Sequence, residues 1–210
     1  MLQGEIARWS VGRCLVVDPQ SRTKLETLMG LWKRYAVVMN LTSSASDDAL
    51  GKQILDGLDA VECALRAGVV LGETWLDVGS GGGFPGLVVA ALGFPVVLME
   101  PRERRAAFLE LALASIKGKG AVRRMRADGS TWTEKLMDGG SEKFAVASAR
   151  AVFEPREWLA RAEALGRDGS VVLVHAKEEA RYEGWDVVAS VTGTLGVVAA
   201  CRKLGVSRGT

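Results

Sequence analysis

Residues 73 to 86 read Glu-Thr-Trp-Leu-Asp-Val-Gly-Ser-Gly-Gly-Gly-Phe-Pro-Gly, and this stretch decides the fold. Its apolar start, Trp75 to Val78, predicts a short buried strand. Four of the five residues from Gly79 to Gly83 are glycine, and the apolar run 87–92 that follows predicts a helix. Glycine serves where a backbone takes a positive φ or lets a ligand lie directly against it. The order of strand, glycine loop and helix therefore predicts a ligand-binding loop.

The composition is that of a globular protein with one main domain. The 210 residues are 48% hydrophobic and 25% charged, with a net charge of +2. A chain of this length can bury a full core, and so small a charge does not by itself predict a nucleic-acid or membrane partner. Cys14, Cys63 and Cys201 lie far apart without a Cys-x-x-Cys pair. This predicts neither a zinc site nor a disulfide framework and fits a reducing cytosol.

Residues 78–99 carry no charge and have the length of a membrane span. They contain several glycines and two prolines, and they already divide into a loop, a helix and a strand, so we predict no span. The N-terminus lacks a basic segment followed by an apolar run, so we predict no signal peptide. A cytoplasmic location is the expectation.

Residues 1–72 predict an N-terminal helical cap. From Ser21, a candidate N-cap, apolar residues recur at three- and four-residue spacing up to Val38. The same period returns after Asp47 and stops before Gly68, which predicts a second helix that a glycine ends. We expect both helices to pack beside a sheet.

Residues 73–210 alternate between strand and helix patterns and predict an α/β domain. The predicted strands are 74–78, 95–99, 121–125, 143–148, 170–175, 186–191 and 196–201. The predicted helices are 84–92, 102–116, 153–165 and 178–183. Such alternation calls for a mostly parallel sheet with helices on both faces. Only four residues separate the last two strands, so these should form an antiparallel pair at one end of the sheet.

Two cofactor classes fit a glycine loop that follows a first strand. Gly81, Gly83 and Gly86 spell G-x-G-x-x-G, and Glu100 follows the first of them by nineteen residues, as the NAD fingerprint requires. Against NAD, Pro85 stands where the pyrophosphate-binding helix should open, although a first helical turn tolerates proline. An NAD(P)-dependent oxidoreductase therefore stays open as an alternative.

The segment Asp77-Val78-Gly79-Ser80-Gly81 favours S-adenosylmethionine (SAM) instead. It has the D-x-G-x-G pattern of class I methyltransferases, and Asp77 stands at the carboxyl end of the strand, where open α/β sheets bind ligands. A glycine-rich turn without a ligand is the least favoured interpretation, because so many glycines cost conformational entropy on folding. The candidate cofactor-binding residues of this stretch are Asp77, Gly79, Gly81 and Gly83.

Acidic residues follow the next two predicted strands. Glu100 could accept hydrogen bonds from both ribose hydroxyls of an adenosine. Taken alone, it is better explained as a solvated carboxylate at a helix start, and the nearby glycine loop is what makes it a candidate ligand-binding residue. Asp128 could accept from an adenine amino group while the backbone of Ala127 contacts the ring edge, or it could be a turn residue before Gly129.

Cations follow the fourth and fifth predicted strands. Arg150 offers a planar fork of five donors that could hold the cofactor carboxylate or an RNA phosphate, or it could pair with Glu154. Lys177 is a comparable cation at the next strand end. The single histidine, His175, lies inside the apolar strand before it. A buried structural role is the prediction for His175, because spacing indicates no catalytic partner.

Residues 76–86, Leu-Asp-Val-Gly-Ser-Gly-Gly-Gly-Phe-Pro-Gly, resemble the bacterial 16S rRNA guanine-N7 methyltransferases, the RsmG or GidB family. Few other methyltransferases follow the glycine loop with an aromatic residue or leucine and then Pro-Gly. Weaker matches in the same order are Asn40-Leu41-Thr42-Ser43, Ile54-Leu55-Asp56, Arg126-Ala127-Asp128, Ser148-Ala149-Arg150-Ala151 and Ala176-Lys177. The resemblance covers nearly the whole chain, from Leu28 to Lys203.

This resemblance implies a class I SAM-dependent methyltransferase fold: a Rossmann-like sheet, with residues 73–210 as the SAM-binding domain and residues 1–72 as a helical cap. The cofactor contacts it implies are Gly79, Phe84, Ala127, Asp128 and Arg150, with Glu100 at the ribose. Asn40, Asp56 and Lys177 are similar to residues near the RNA side. The candidates for positioning the reactants are Arg150, Asn40 and Lys177.

Two departures from the family pattern concern the RNA side. Where the family commonly has His-Ile-x-Asp-Ser, this chain has Gln53-Ile54-Leu55-Asp56-Gly57, which lacks the imidazole and the hydroxyl. The arginine that usually follows Asn-Leu-Thr is absent from Ser44-Ala45-Ser46. The departures at Gln53 and Gly57 suggest a SAM-holding RNA-binding module without turnover as a second alternative.

The activity that the resemblance implies is methyl transfer from SAM to N7 of a guanine in 16S rRNA, either naked or in the small ribosomal subunit. We expect the protein to be a monomer without a membrane partner. The other product is S-adenosylhomocysteine. Guanine N7 carries an in-plane electron pair and no proton, so it can attack without a general base. Catalysis would then depend on aligning nitrogen, methyl and sulfur.

Overall fold

The computed structural model describes residues 2–39, 41–42, 44–128, 132, 136 and 144–204, apart from the side chains of residues 37 and 166–168. Its helices are α1 (Leu2–Trp9), α2 (Pro19–Met39), α3 (Asp47–Arg66), α4 (Gly86–Ala91), α5 (Glu103–Ser115) and α6 (Pro155–Ala162). Its strands are β1 (Trp75–Val78), β2 (Val96–Met99), β3 (Gly120–Arg123), β4 (Phe144–Ala149), β5 (Gly166–Ala176), β6 (Trp185–Gly193) and β7 (Gly196–Lys203).

The seven strands form one sheet in the order β3-β2-β1-β4-β5-β7-β6. The first five pair in parallel, and β7 runs antiparallel to both β5 and β6. The seven predicted strands and the final antiparallel pair are confirmed. Because the strand order reverses beside β1, the carboxyl ends of β1, β2 and β4 border the crevice where open α/β sheets bind ligands.

Helix α2 begins earlier than predicted. The Asp18 carboxylate accepts hydrogen bonds from the backbone N–H and the hydroxyl of Ser21, at 3.0 and 2.7 Å. Pro19 occupies the first helical position, where its missing N–H costs nothing. The prediction of Ser21 as the N-cap is wrong, because Asp18 caps the helix and Ser21 already belongs to the first turn.

Helix α3 starts and ends as predicted. The Ser46 hydroxyl accepts a hydrogen bond from the Ala49 backbone N–H at 3.2 Å, which caps the first turn. Gly68 follows the helix with a φ of 88° and donates its N–H to the carbonyl of Leu65 at 3.0 Å. This left-handed residue ends the helix and turns the chain towards β1.

Residues 178–183 form no helix, so that prediction is wrong. Their Glu-Glu-Ala-Arg-Tyr-Glu sequence favours a helix locally. Tyr182 is instead buried, and its carbonyl accepts a hydrogen bond from the Trp185 backbone N–H at 3.1 Å. The Ser190 hydroxyl of β6 donates to Glu179 at 2.9 Å. These tertiary contacts hold the segment as a bend and turn before β6.

Apolar side chains cover both faces of the sheet. One core combines residues of α1, α2 and α3 with residues of α4, α5 and the sheet. The other core, on the opposite face, is closed by α6, whose Trp158 is fully buried. The cap helices and the sheet therefore share a core and hold each other in place. Among the described residues, no helix is both long and apolar enough to cross a membrane.

Two buried acids on α3 hold the segment that follows α1. Asp59 accepts a hydrogen bond from the Trp9 indole at 2.8 Å and lies 3.1 Å from the Arg13 guanidinium. Burial raises the pKa of Asp59 to about 6, against the opposing effects of Trp9 and Arg13. Glu62 accepts from the backbone N–H of Leu15 at 2.7 Å. The N-terminal segment is thus docked by hydrogen bonds as well as by apolar contact.

Candidate functional site

The glycine loop, residues 79–86, joins β1 to α4. The backbone N–H groups of Gly79 and Ser80 donate to the carbonyl of Met99 at 2.8 and 3.0 Å, which fixes the loop to the end of β2. Gly79 has a φ of 70°, and a Cβ at this position would lie 2.5 Å from a methyl of Val152. Only glycine meets both conditions, so the loop presents bare backbone at this end of the sheet.

Asp77 braces the loop from behind. Its carboxylate accepts hydrogen bonds from the Gly86 backbone N–H at 3.2 Å and from the Ser148 hydroxyl at 2.9 Å. The Trp75 indole donates to the same hydroxyl oxygen at 2.8 Å. Burial raises the pKa of Asp77 to about 6, although the bonds from Ser148 and Gly86 oppose the rise. Asp77 therefore ties β1 to β4 and to the start of α4.

Trp32 of α2 holds the loop from the cap side. Its indole N–H donates to the carbonyl of Gly82 at 2.7 Å. Its ring stacks on Phe84, with ring centroids 4.1 Å apart and the planes inclined by 25°. A Cβ on Gly82 would meet the carbonyl oxygen of Leu41 at 2.6 Å. Helix α2 and the segment after it therefore set where the loop lies.

Glu100 is buried directly after β2. One carboxylate oxygen accepts a hydrogen bond from the Gly81 backbone N–H at 2.9 Å, and the other accepts from the Arg102 backbone N–H at 2.9 Å. Each carboxylate oxygen has two acceptor lone pairs, so both keep capacity for a ligand hydroxyl. The two backbone bonds orient the carboxylate beside the loop.

An open cavity of about 750 Å³ lies over these strand ends. Its lining from the loop and strand ends is Val78, Gly79, Ser80, Gly81, Gly82, Phe84, Met99, Glu100, Pro101, Met125, Arg126, Ala127, Asp128, Arg150, Ala151, Val152 and Phe153. Its lining from the helices and their connections is Leu41, Thr42, Gln53, Arg102, Arg105 and Arg161. The cavity therefore offers carboxylates beside β2 and β3 and several guanidinium groups around them.

The β3 end of the cavity is shaped by α6. Arg161 donates from Nη1 to the carbonyl of Ala127 at 3.0 Å, and its guanidinium lies 4.8 Å from the centre of the Phe153 ring. Asp128, the next residue, is exposed at the rim. Arg161 thus fixes the backbone where the sequence predicts an adenine contact.

The β4 end of the cavity borders the Arg150 cluster, which consists of Gln53, Asp56, Arg150 and His175, with Gln53 and Arg150 in the cavity lining. Arg150 donates from Nη1 to Asp56 Oδ2 at 2.6 Å and from Nη2 to Gln53 Oε1. His175 Nδ1 lies 3.8 Å from the same oxygen of Asp56. Burial lowers the pKa of His175 to about 4, although the Asp56 charge opposes the shift. His175 is therefore neutral at pH 7.

The family model for GidB, rRNA small subunit methyltransferase G, matches residues 21–192. The chain belongs to the GidB family. A Rhodopseudomonas palustris (strain BisB18) protein named ribosomal RNA small subunit methyltransferase G is 31% identical over 186 residues, which cover 86% of this chain and 72% of that relative. Its Rhizobium meliloti namesake is 36% identical over 120 residues, or 54% of each protein. In that second comparison, the chain spans about half the length of the relative it matches.

Solved structures support the fold of this GidB-family chain. It is similar to an O-methyltransferase from Bacillus cereus in complex with SAH, with a TM-score of 0.52 and 16% sequence identity. The match covers 82% of this chain and 74% of that one. Identity this low bears on the fold alone. The predicted class I methyltransferase sheet is confirmed by this likeness and by the strand order.

Most of the predicted cofactor-binding residues meet at the cavity of this GidB-family chain. Its lining includes Gly79, Gly81, Phe84, Glu100, Ala127, Asp128 and Arg150. Asp77 and Gly83 lie behind that lining, where they support the loop. Lys177 is exposed and is not part of the lining. Asn40 lies outside the described residues.

Three residues of the site, Gln53, Arg161 and Trp32, were not predicted from the sequence. Gln53 appears there only as a departure from a family pattern, yet it contacts a residue 97 positions away. Arg161 and Trp32 look like ordinary helix residues. Trp32 contacts the Gly82 carbonyl and Arg161 the Ala127 carbonyl, over separations of 50 and 34 residues. Contacts of this kind depend on how the helices pack, and local spacing carries no signal of them.

Proposed function

We propose that this protein is a SAM-dependent methyltransferase that methylates N7 of a guanine in small-subunit rRNA. The observation that carries the proposal is the cavity, where a buried, oriented carboxylate at Glu100 lies beside bare loop backbone at Gly79 and Gly81. Membership of the family named for rRNA small subunit methyltransferase G supports the substrate class.

The lining residues suggest how SAM binds. The ribose hydroxyls donate to Glu100, and the adenine lies at the Ala127–Asp128 backbone, which Arg161 holds in place. The methionine part then extends over the glycine loop towards Arg150. This direction, from β3 across to β4, puts the sulfonium methyl at the end of the cavity lined by Thr42, Gln53 and Arg150.

The position of Gly83 argues against NAD. In the dinucleotide fingerprint, the second glycine lets the backbone approach the pyrophosphate. Here the side-chain direction of Gly83 is filled by Leu87 and Leu109, and Gly83 is not part of the cavity lining. Its missing side chain therefore makes room for the core, and a pyrophosphate would find no free approach there.

The chemistry needs alignment more than proton transfer. The N7 electron pair forms the new N–C bond while the C–S pair moves onto sulfur, so the guanine becomes cationic and the sulfonium becomes a neutral thioether. No proton leaves N7, which fits the place of His175, largely buried beside Asp56 and not part of the described cavity lining. Holding the reactants in line can supply about 7 to 11 kcal/mol in favourable cases.

Arginines at the rim suit an RNA partner. Arg102 and Arg126 are exposed and line the cavity mouth. Guanidinium groups hold phosphate oxygens and position a nucleic acid without reading its sequence. We propose that Arg102 and Arg126 contact the RNA backbone beside the methylated guanine.

We also propose that residues 1–72 form a helical cap and residues 73–210 the SAM-binding domain. The two parts then work together in a cytoplasmic monomer.

Methyl transfer to small ribosomal subunits tests the proposal. Subunits from a bacterial strain that lacks its own enzyme are incubated with the protein and SAM labelled in the methyl group. We expect label in 16S rRNA, and borohydride reduction followed by aniline should cleave the RNA at the labelled guanine. Label on RNA without such cleavage would contradict the N7 assignment.

Calorimetry separates the two alternatives. The methyltransferase binds SAM and S-adenosylhomocysteine, whereas tight NAD binding without SAM binding would favour an oxidoreductase. SAM binding without label on naked rRNA or on subunits would favour a non-catalytic RNA-binding module, the alternative that Gln53 and Gly57 raise. The described residues offer NAD no free approach at Gly83, so we expect SAM to bind at least a hundredfold more tightly, or about 3 kcal/mol.

A further inference from the structure

The Arg150 cluster combines opposite charges at the cavity edge. The guanidinium and the Asp56 carboxylate are 2.6 Å apart, and their side chains are 22% and 8% exposed. Arg150 alone would place a positive charge beside the cavity. Paired with Asp56, it contributes a dipole with no net charge. Removing either partner leaves the other charge uncompensated, and this is costly for a side chain as buried as Asp56.

The proposed cofactor and its product differ by one charge. SAM carries a sulfonium cation, and S-adenosylhomocysteine carries a neutral thioether at the same sulfur. Their adenosine, amino and carboxylate groups are the same. Any charge near the sulfur therefore changes the affinity for SAM relative to that for S-adenosylhomocysteine, while changes elsewhere in the site affect both ligands alike.

We infer that Asp56 is a charge-balancing residue of the reaction centre. By neutralising Arg150, it lets the site accept the sulfonium of SAM without repulsion. It also prevents repulsion of the positive charge that builds up on the guanine as the methyl group moves. Asp56 acts through Arg150 and needs no contact with either reactant. The inference rests on the proposed cofactor. Asp56 balances the charge of Arg150, whereas Gln53 only positions its guanidinium.

Gln53 is the neutral partner in the cluster. A guanidinium has only donors, so the amide oxygen of Gln53 must face Arg150. Gln53 therefore fixes the position of Arg150 without changing its charge. His175 adds no charge at pH 7, because burial lowers its pKa to about 4. Within the cluster, the balance thus depends on Asp56 and Arg150.

Charge-changing variants test the inference by the ratio of two dissociation constants. Calorimetry at pH 8 gives the affinities of each variant for SAM and for S-adenosylhomocysteine. Asp56→Asn keeps the shape and adds one net positive charge, so we expect the preference for SAM to fall about three- to tenfold. Arg150→Gln leaves Asp56 uncompensated, so the preference should rise by a similar factor. The double variant restores neutrality and should return the ratio to that of the unmodified protein.

Two controls separate charge from structure. Gln53→Ala loosens Arg150 without changing charge, so it should alter both affinities together and leave the ratio unchanged. Asp48→Asn removes an exposed carboxylate from the same helix, where it pairs with Lys52 at 2.7 Å, and should change neither affinity. If Asp56→Asn does not fold, the shift in Arg150→Gln and its reversal in a folded double variant carry the test.

Equal ratios in all folded variants would overturn the inference and leave the proposed function intact. A ratio that moves in the same direction for Asp56→Asn and Arg150→Gln would also overturn it, because the two changes have opposite charge. If the unmodified protein bound neither SAM nor S-adenosylhomocysteine, the proposed function itself would fail first. The two failures are therefore distinguishable in one set of measurements.

Discussion

The glycine loop and the Arg150 cluster border the same cavity but are built in different ways. The loop is one continuous segment, residues 79–86, whose conformation depends on glycines at set positions. The cluster brings Gln53 and Asp56 of α3 onto Arg150, over separations of 97 and 94 residues. The conformation of the first region depends on its own glycines, and the second region exists only when α3 has packed against the sheet.

The two regions therefore have different roles: the loop binds the cofactor, and the Arg150 cluster adjusts the charge beside it. The loop supplies backbone geometry that any SAM-binding protein of this fold needs. The cluster supplies a charge balance that depends on the packing of α3 against the sheet. A change in the loop should therefore disturb folding and cofactor binding together, whereas a change in the cluster should alter affinity or pH dependence in a protein that still folds.

The largest expected effect is a substitution inside the loop. Gly83 has a φ of 92°, and a Cβ there would overlap the side chain of Leu87. Gly83→Ala combines left-handed strain with overpacking, and we expect a loss of about 3 to 4 kcal/mol of unfolding free energy, measured by urea denaturation. SAM affinity should fall as well, because the loop must shift.

Gly93→Ala is the matched control for that substitution. Gly93 has a similar φ of 95°, but a Cβ there would meet no atom within 4 Å. It should cost only the conformational strain, about 1 kcal/mol, and leave SAM binding unchanged. Equal losses in the two variants would mean that overpacking behind the loop contributes nothing.

The next largest effect should come from His175 in the cluster. Its pKa is lowered from 6.5 to about 4 by burial. Between these values the unfolded chain binds more protons than the folded one, so this group destabilises the fold as the pH falls from 6.5 to 4. Full protonation would remove about 3 kcal/mol. Comparing unfolding free energies at pH 7.5 and 4.5 for the protein and His175→Gln should reveal most of that difference.

The quantity to measure is the difference in unfolding free energy between the unmodified protein and His175→Gln at each pH. Asp59 and Asp77 have pKa values raised from 3.8 to about 6, so their folded forms hold protons between these values and gain stability as the pH falls. Their contributions oppose that of His175 in the unmodified protein. The contributions of Asp59 and Asp77 are present in both proteins, so they cancel when the unfolding free energy of His175→Gln is subtracted from that of the unmodified protein. An identical pH dependence in both proteins would show that His175 is not held neutral by the fold.

The same contrast explains how much could be predicted from the sequence. The strands, the glycine loop and the cofactor class were predictable, because apolar runs and glycine positions are local properties of the chain. Glu100 was predictable because it directly follows a strand. The bond of Gln53 to Arg150 was not, since it depends on how α3 packs. The failed helix at residues 178–183 has the same cause: Tyr182 is held by the core, which overrides local propensity.

A smaller effect should follow from removing the cluster's guanidinium. Arg150 has five N–H donors, and two of them bond Asp56 and Gln53, so among the described residues three stay available for a ligand. We expect Arg150→Ala to weaken SAM binding about 10- to 100-fold, because a charged hydrogen-bond donor to the cofactor is lost. Lys177→Ala, an exposed cation outside the cavity lining, should change affinity less than twofold. Equal effects would contradict the placement of the cofactor beside Arg150.

The smallest expected effect tests whether the loop is as local as its sequence suggests. Trp32→Phe keeps an aromatic ring near Phe84 but removes the indole donor to the Gly82 carbonyl. We expect a loss of about 1 kcal/mol in unfolding free energy and a several-fold weaker affinity for SAM. Trp158→Phe removes an equivalent buried bond, to Leu173 at 2.9 Å on the other face of the sheet, and should cost similar stability without changing affinity. If both variants bound SAM equally well, the loop would hold its shape without the bond from Trp32. The conformation of the loop would then depend on its own residues, in contrast to the Arg150 cluster, which needs the packing of α3.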